Sequence, residues 1–175
     1  SSSYTSTNIP VVLESIAELS KRFPKINLAV VGFENWQKNF QTNIDKLKIQ
    51  NRVVFHSSMS HDELLELLLS SSIGIALYTN ESNWTHFSDS MKVRDYLSCG
   101  LPVLMTNVMS TAQDIQKYRA GEIVEINQVA VTNAISKIFA SEEKYAEYQK
   151  NALEVAKHYD INSILNSRLS AFLKN

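Results

Sequence analysis

Apolar positions along this chain alternate between helical spacing and short continuous runs. Ile9, Val12, Leu13, Ile16 and Leu19 recur at helical intervals behind Asn8, which predicts a helix capped by Asn8, with Pro10 tolerated in its first turn. Residues 26–31 form an unbroken apolar run that stops at Gly32 and reads as a buried strand. Trp36, Phe40, Ile44 and Leu47 mark a second helix, and residues 52–55 a second strand. Ser60 stands three positions before Glu63, the form of a capping box, ahead of a Leu-rich helix that runs to Leu69. Residues 73–78 read as a third strand, and 79–87 as a polar loop rich in Asn, Ser and Thr. A short helix follows, with Val93, Tyr96 and Leu97 on its apolar face, then Gly100 as a C-terminal stop, Pro102 at strand entry, and a strand at 103–105. The remaining pattern predicts a short helix at 111–118, a strand at 122–126 after Gly121, and helices near 129–139, 142–159 and 161–173.

Strands alternating with helices imply an α/β fold: a Rossmann-like, doubly wound parallel sheet with helices on both faces and a helical C-terminal tail. The expected organisation is a lead-in at 1–8, one doubly wound domain at 9–160, and a terminal helix at 161–175. Ligands of such sheets bind at the carboxyl ends of the strands, which selects the loops after Val31, Phe55, Tyr78 and Met105. This rule places a site without naming its ligand.

Composition narrows the function by exclusion. The chain has 175 residues with a hydrophobic fraction of 44%, ordinary for one folded domain with a sizeable core. Lys+Arg 17 against Asp+Glu 18 gives a net charge of −1, which argues against a broad nucleic-acid surface. No apolar run approaches 20 residues, and the polar start lacks a signal-peptide core. Cys99 is the single cysteine, so no internal disulfide forms, and a reducing, cytoplasmic setting is expected. Peripheral membrane association would need a basic amphipathic face, and the sequence shows none.

The chemistry concentrates in Ser90-Met91-Lys92-Val93-Arg94-Asp95-Tyr96-Leu97-Ser98-Cys99-Gly100-Leu101-Pro102-Val103. Met91, Lys92 and Asp95 fall opposite the apolar face of the helix. A cation at a helix start with an acid one turn later can hold a phosphate and a sugar hydroxyl together, and a helix N-terminus itself favours anions. The plain alternative is a solvated ion pair between Lys92 and Asp95.

This segment resembles the "s-x-K-x-x-E-Y-L-a-x-G-x-P-V" block of GT-B glycosyltransferases, most closely the retaining family 4, or group 1, enzymes. Three other blocks occur in the right order. Ile26-Asn27-Leu28-Ala29-Val30-Val31-Gly32 resembles the family's strand and glycine; Asn51-Arg52-Val53-Val54-Phe55-His56 resembles its "n-r-V-x-F-x-G", with Ser57 near the usual glycine; and residues 60–78 resemble the helix and strand that follow. The resemblance covers about residues 8–173 and implies the C-terminal, donor-binding half of a glycosyltransferase. It implies a UDP- or GDP-sugar as substrate, no cofactor, and no metal; the sequence contains no Asp-x-Asp motif. By the same resemblance Lys92 is the catalytic group at the leaving diphosphate, aided by backbone around Ser90 and Met91. Asp95 grips the ribose, one methylene shorter than the usual Glu. His56 and Ser57 stand by the nucleobase, and Gly32 and Phe33 near the diphosphate or donor sugar.

Two departures stand out. An acid usually precedes the second acid by eight positions; here that place is Phe87, so Glu81 or Asp89 would have to substitute. The family's domain also begins with a strand and a Gly-rich loop carrying a basic residue, where this sequence has only Ser1 to Asn8. The expected consequence is donor binding without efficient turnover unless an N-terminal acceptor-binding domain is supplied. A nucleotide-sugar 2-epimerase half and a non-catalytic interaction domain are the alternatives. His56, His61, His86 and His158 lack metal spacing. Cys99 reads as a packing residue, Trp36 and Phe40 as core, and Trp84 as a loop residue able to touch sugar or acceptor.

Overall fold

The computed structural model describes residues 8–32, 36–79 and 90–160. Five parallel strands alternate with helices: α1 (Ile9–Leu19), β1 (Leu28–Val31), α2 (Trp36–Leu47), β2 (Val53–His56), α3 (His61–Leu69), β3 (Gly74–Ala76), α4 (Met91–Ser98), β4 (Val103–Met105), α5 (Thr111–Tyr118), β5 (Gly121–Ile123), α6 (Gln128–Ile138) and α7 (Glu142–His158). The fold is the expected Rossmann-like α/β arrangement. The expected helix at 161–173 and the lead-in before Asn8 lie outside the described residues.

Hydrogen bonding divides the strands into a two-stranded sheet, β1-β2, and a three-stranded sheet, β3-β4-β5. Leu28 pairs with Val53 and Val31 with His56 in the first; Gly74 pairs with Val103, and Val103 with Gly121, in the second. All strands within each sheet run parallel, so their carboxyl ends share one rim. Several strands are shorter than their apolar runs predict: 26–31 shortens to Leu28–Val31, and 73–78 to Gly74–Ala76.

Three apolar clusters hold the layers. Val93, Leu97, Met105, Ile115 and Val155 join α4, α5 and α7 to one face of the three-stranded sheet. Leu77, Leu104, Val131 and Ile135 join its other face to α6 and to Val12, Ile16 and Leu19 of α1. Ile9 and Leu13, on the neighbouring stripe of α1, pack instead with Val30 of β1 and with Phe40 and Ile44 of α2. Helix α1 therefore spans both sheets on one face.

Local signals work mostly as the residues suggest. The Ser60 backbone N–H donates to Glu63 Oε2 at 2.7 Å, and the Glu63 N–H donates to Ser60 Oγ at 3.3 Å, completing the capping box. Gly100 closes α4 at φ +70°, with its N–H on the Leu97 carbonyl and the Leu101 N–H on the Tyr96 carbonyl, the paired bonds of a Schellman stop. Asn8 departs from expectation. It occupies the N-cap position of α1 but makes no side-chain cap bond. Its left-handed backbone (φ 46°) turns the amide away, and Nδ2 donates to the Leu77 carbonyl at 3.1 Å. The side chain thus donates to a tertiary carbonyl and does not accept from the first-turn N–H groups of its own helix.

Candidate functional site

The carboxyl rim carries a compact group of side chains around Tyr78. The buried Thr106 hydroxyl, just past β4, accepts from the Tyr78 N–H at 2.9 Å and donates to the Tyr78 carbonyl at 2.8 Å. That double link fixes the residue that follows β3. The Tyr78 hydroxyl then pairs with Ser90 Oγ at 2.8 Å, and Lys92 Nζ lies 5.2 Å from the centre of the Tyr78 ring.

Ser90 is the N-cap of α4, with extended backbone at φ −88° and ψ 112°. A serine there ordinarily accepts from an amide of the first helical turn. Here it makes no such bond, and its buried hydroxyl pairs with the Tyr78 hydroxyl instead. Among the described residues no side chain caps the first-turn N–H groups of α4, which carry the positive end of the helix dipole. Lys92 is exposed beside them. Asp95 is one turn on, yet Lys92 rests on the Tyr78 ring instead of forming an ion pair with Asp95.

Packing sets the tilt of α4. Val93 and Leu97 are fully buried, and Tyr96 lies directly against Gly74: a Cβ at Gly74 would fall 2.2 Å from the Tyr96 ring. Glycine is needed there for close approach of helix and strand. Burial of the phenolic end pushes the Tyr96 hydroxyl well above its ordinary range, with smaller contributions from Tyr78 and Asp95. Cys99 is half-buried and burial raises its thiol, the opposite of what a nucleophile needs.

Of the residues singled out by sequence, Lys92, Asp95 and His56 line a common cavity of about 1020 Å³. Gly32 and His56 are joined where β1 and β2 end, the Gly32 N–H donating to the His56 carbonyl at 3.1 Å. Ser57 is exposed just beyond β2. Met91, the first residue of α4, is 67% exposed. Phe33, Glu81, Phe87, Asp89, Trp84 and His86 lie outside the described residues. Tyr78 and Thr106 are the functional candidates that motif reading passed over. Their signal was present: Thr106 directly follows β4 and Tyr78 lies two residues past β3, at strand ends the placement rule selects.

Among the described residues no cluster of three His, Cys, Asp or Glu side chains could hold a metal ion. Nor, among them, is any helix long and apolar enough to cross a membrane.

The comparisons agree with this architecture. Residues 4–155 match the glycosyl transferases group 1 family, and the chain belongs to it. Solved structures with the same fold include WaaG, a glycosyltransferase involved in lipopolysaccharide biosynthesis, at 20% identity and TM-score 0.78, over 95% of this chain and 44% of that one. Sucrose-phosphate synthase from Thermosynechococcus elongatus aligns at 17% identity and TM-score 0.75, over 95% of this chain and 42% of that one. Anabaena HepE, solved with UDP and glucose, aligns at 16% identity and TM-score 0.74, over 94% of this chain and 44% of that one. No curated protein matches the chain. The chain spans less than half the length of each of these three structures.

Proposed function

We propose that this chain is the donor-binding half of a metal-independent hexosyltransferase and that its carboxyl rim binds a UDP- or GDP-sugar. The observation that carries the reading is that Ser90 bonds Tyr78 and does not cap α4, whose first-turn amides lie beside the Lys92 ammonium with no side-chain cap among the described residues. A diphosphate supplies the acceptor oxygens that such amides lack. Lys92 and the helix end then stabilise the charge that develops on the departing diphosphate. Asp95, one turn along and lining the same cavity, orients the ribose through its hydroxyls. His56 and Ser57 border the nucleobase, and Gly32 and Phe33 the diphosphate or sugar. HepE, which shares the fold, was solved with UDP and glucose and supports this class of ligand.

Transfer needs an acceptor, a glycan or lipid-linked saccharide, held by an N-terminal domain across a cleft. We place the full enzyme in cytoplasmic, bacterial polysaccharide assembly. Residues 161–175 would serve as the crossover toward that other domain.

Calorimetric titration with UDP, GDP and ADP tests the reading. One nucleotide is expected to bind saturably, and Asp95→Ala and Lys92→Ala are each expected to weaken it by about 1.5–3 kcal/mol, the scale of a lost hydrogen bond to a charged group. Absence of binding by all three nucleotides to the full-length enzyme would overturn it.

A further inference from the structure

Helix α4 carries both Lys92 and Asp95, and two of its cations rest on tyrosine rings. Lys92 Nζ lies 5.2 Å from the centre of the Tyr78 ring, and the Arg94 guanidinium lies 5.1 Å from the centre of the Tyr159 ring. Each ring is tied down at its hydroxyl. Tyr78 pairs with Ser90 Oγ, and Tyr159 donates to Asp114 Oδ2 at 2.6 Å. Residues two apart stand about 200° apart around a helix, so the two contacts start from different flanks of α4. The Tyr78 contact belongs to the site described above. The other does not: Tyr159 is the C-cap of α7, Asp114 sits in α5, and neither they nor Arg94 line the cavity shared by Lys92 and Asp95.

We propose that Arg94 is a positioning residue for the donor site: stacked on Tyr159, it fixes the rotation of α4 that aims Lys92 and Asp95 at one nucleotide. The proposal rests on the donor-site reading and deepens it. Apolar packing alone does not set that rotation. Val93 and Leu97 are fully buried against Ala152 and Val155 of α7, and burial of this kind is non-directional. Leu153 of α7 sits beside Gly100, where an added Cβ would meet its Cγ at 3.4 Å, so the far end of α4 is held as well. A turn of a few degrees about the helix axis would leave this burial nearly intact yet swing the tips of Lys92 and Asp95. The Arg94 contact is directional, because a flat guanidinium stacks on a ring face in a defined geometry. The ring is oriented in turn by its bond to the Asp114 carboxylate. That bond places negative charge on one side of the ring system and the Arg94 cation on the other, so each contact polarises the ring in favour of the other. All three side chains are half-buried, which limits screening by solvent and salt. Helices α4, α5 and α7 are thereby locked together at a single ring. Arg94 itself lies outside the cavity and acts through Lys92 and Asp95, whose precision depends on such outlying support.

The test titrates the full-length enzyme and its variants with UDP, GDP and ADP, and follows amide exchange along α4 in the same proteins. Arg94→Met keeps an apolar stem and loses the flat cation; Tyr159→Leu loses the ring; Tyr159→Phe loses only the bond to Asp114. Arg94→Met and Tyr159→Leu are each expected to weaken the bound nucleotide by roughly fivefold, and the two together by no more than either alone. Tyr159→Phe is expected to weaken it less than either. In a Lys92→Ala background Arg94→Met is expected to cost clearly less, because one of the two groups it positions is gone. A purely structural Arg94 would cost the same factor in both backgrounds. Exchange in α4 is expected to quicken in Arg94→Met and Tyr159→Leu while α6 stays unchanged. The proposal is overturned if folded Arg94→Met binds nucleotide as tightly as the unmodified enzyme, if its loss is the same with and without Lys92, or if α4 exchange does not change. Should Arg94→Met fail to fold, Arg94→Lys, which keeps the charge without the flat fork, is judged by the same outcomes. An unmodified enzyme that binds none of the three nucleotides overturns the donor-site reading and this proposal with it; one that binds while the variants match it overturns this proposal alone.

Discussion

The two sheets differ in how fully they are enclosed. In the three-stranded sheet Val103, Leu104 and Met105 of β4 are all at 0% exposure, pressed between α1 and α6 on one side and α4, α5 and α7 on the other. In the two-stranded sheet Val30 is buried beneath α1 and α2, but Val54 is 51% exposed and Ala29, its register partner, is exposed too. One sheet is a sandwiched layer; the other has a covered face and an open one. Lys92 and the residues that support it, Tyr78, Ser90 and Thr106, belong to the enclosed half, whereas Gly32 follows the open sheet. Those assigned to the nucleobase, His56 and Ser57, belong to the open half. Positioning of charge is thus built on the stiffer layer, where preorganised donors act most strongly.

Core truncation gives the largest expected contrast. Leu104→Ala should cost about 3 kcal/mol, within the usual 2–5 for a buried leucine, while Val54→Ala should change stability by about 0.5 kcal/mol or less. Urea unfolding measures both; equal costs would erase the distinction between the sheets.

A smaller effect isolates Tyr78. Tyr78→Phe keeps the ring under Lys92 but frees the Ser90 hydroxyl, which can then cap α4 itself. Nucleotide affinity should fall by about 1 kcal/mol, with melting temperature nearly unchanged. A stability loss without an affinity loss would assign Tyr78 to packing alone.

Ser60→Ala removes the cap of α3 and should cost about 1 kcal/mol, seen first as faster amide exchange in that helix's opening turn. The pH dependence is subtler. The Ser60 backbone N–H, and next its hydroxyl, hold the Glu63 carboxyl below its ordinary value of 4.5. A carboxyl depressed by folding adds stability that is present above that value and is lost as pH falls through the folded pKa. Glu63→Gln should therefore flatten the stability curve below pH 4.5 and leave its slope near neutrality unchanged. A steeper acid limb in the variant would reverse this assignment.

Much of this was legible before any coordinates. Periodicity found α2, α3, α5 and β4 with their observed ends, since those elements are bounded by local stops such as the Ser60–Glu63 box. It overran β1 and β3, because an apolar run records burial, and burial continues past the last ladder hydrogen bond: Leu77 is 2% exposed yet follows the end of β3. The Lys92–Asp95 spacing was readable on the helix wheel, but the partner of Lys92 was not, since Tyr78 lies fourteen residues away and the link crosses a strand and a helix.

By itself the sequence determined the alternation of elements, the parallel α/β class, the family motif around Lys92 and the local caps, all of which depend on residues within one or two turns of each other. The tertiary structure alone decided where Asn8 spends its amide, that Ser90 bonds Tyr78 and does not cap its own helix, and that residues of β1 and β3 line one cavity with Lys92 and Asp95. Those outcomes turn on competition between near and distant partners, and chain order carries no record of which partner lies closer in space.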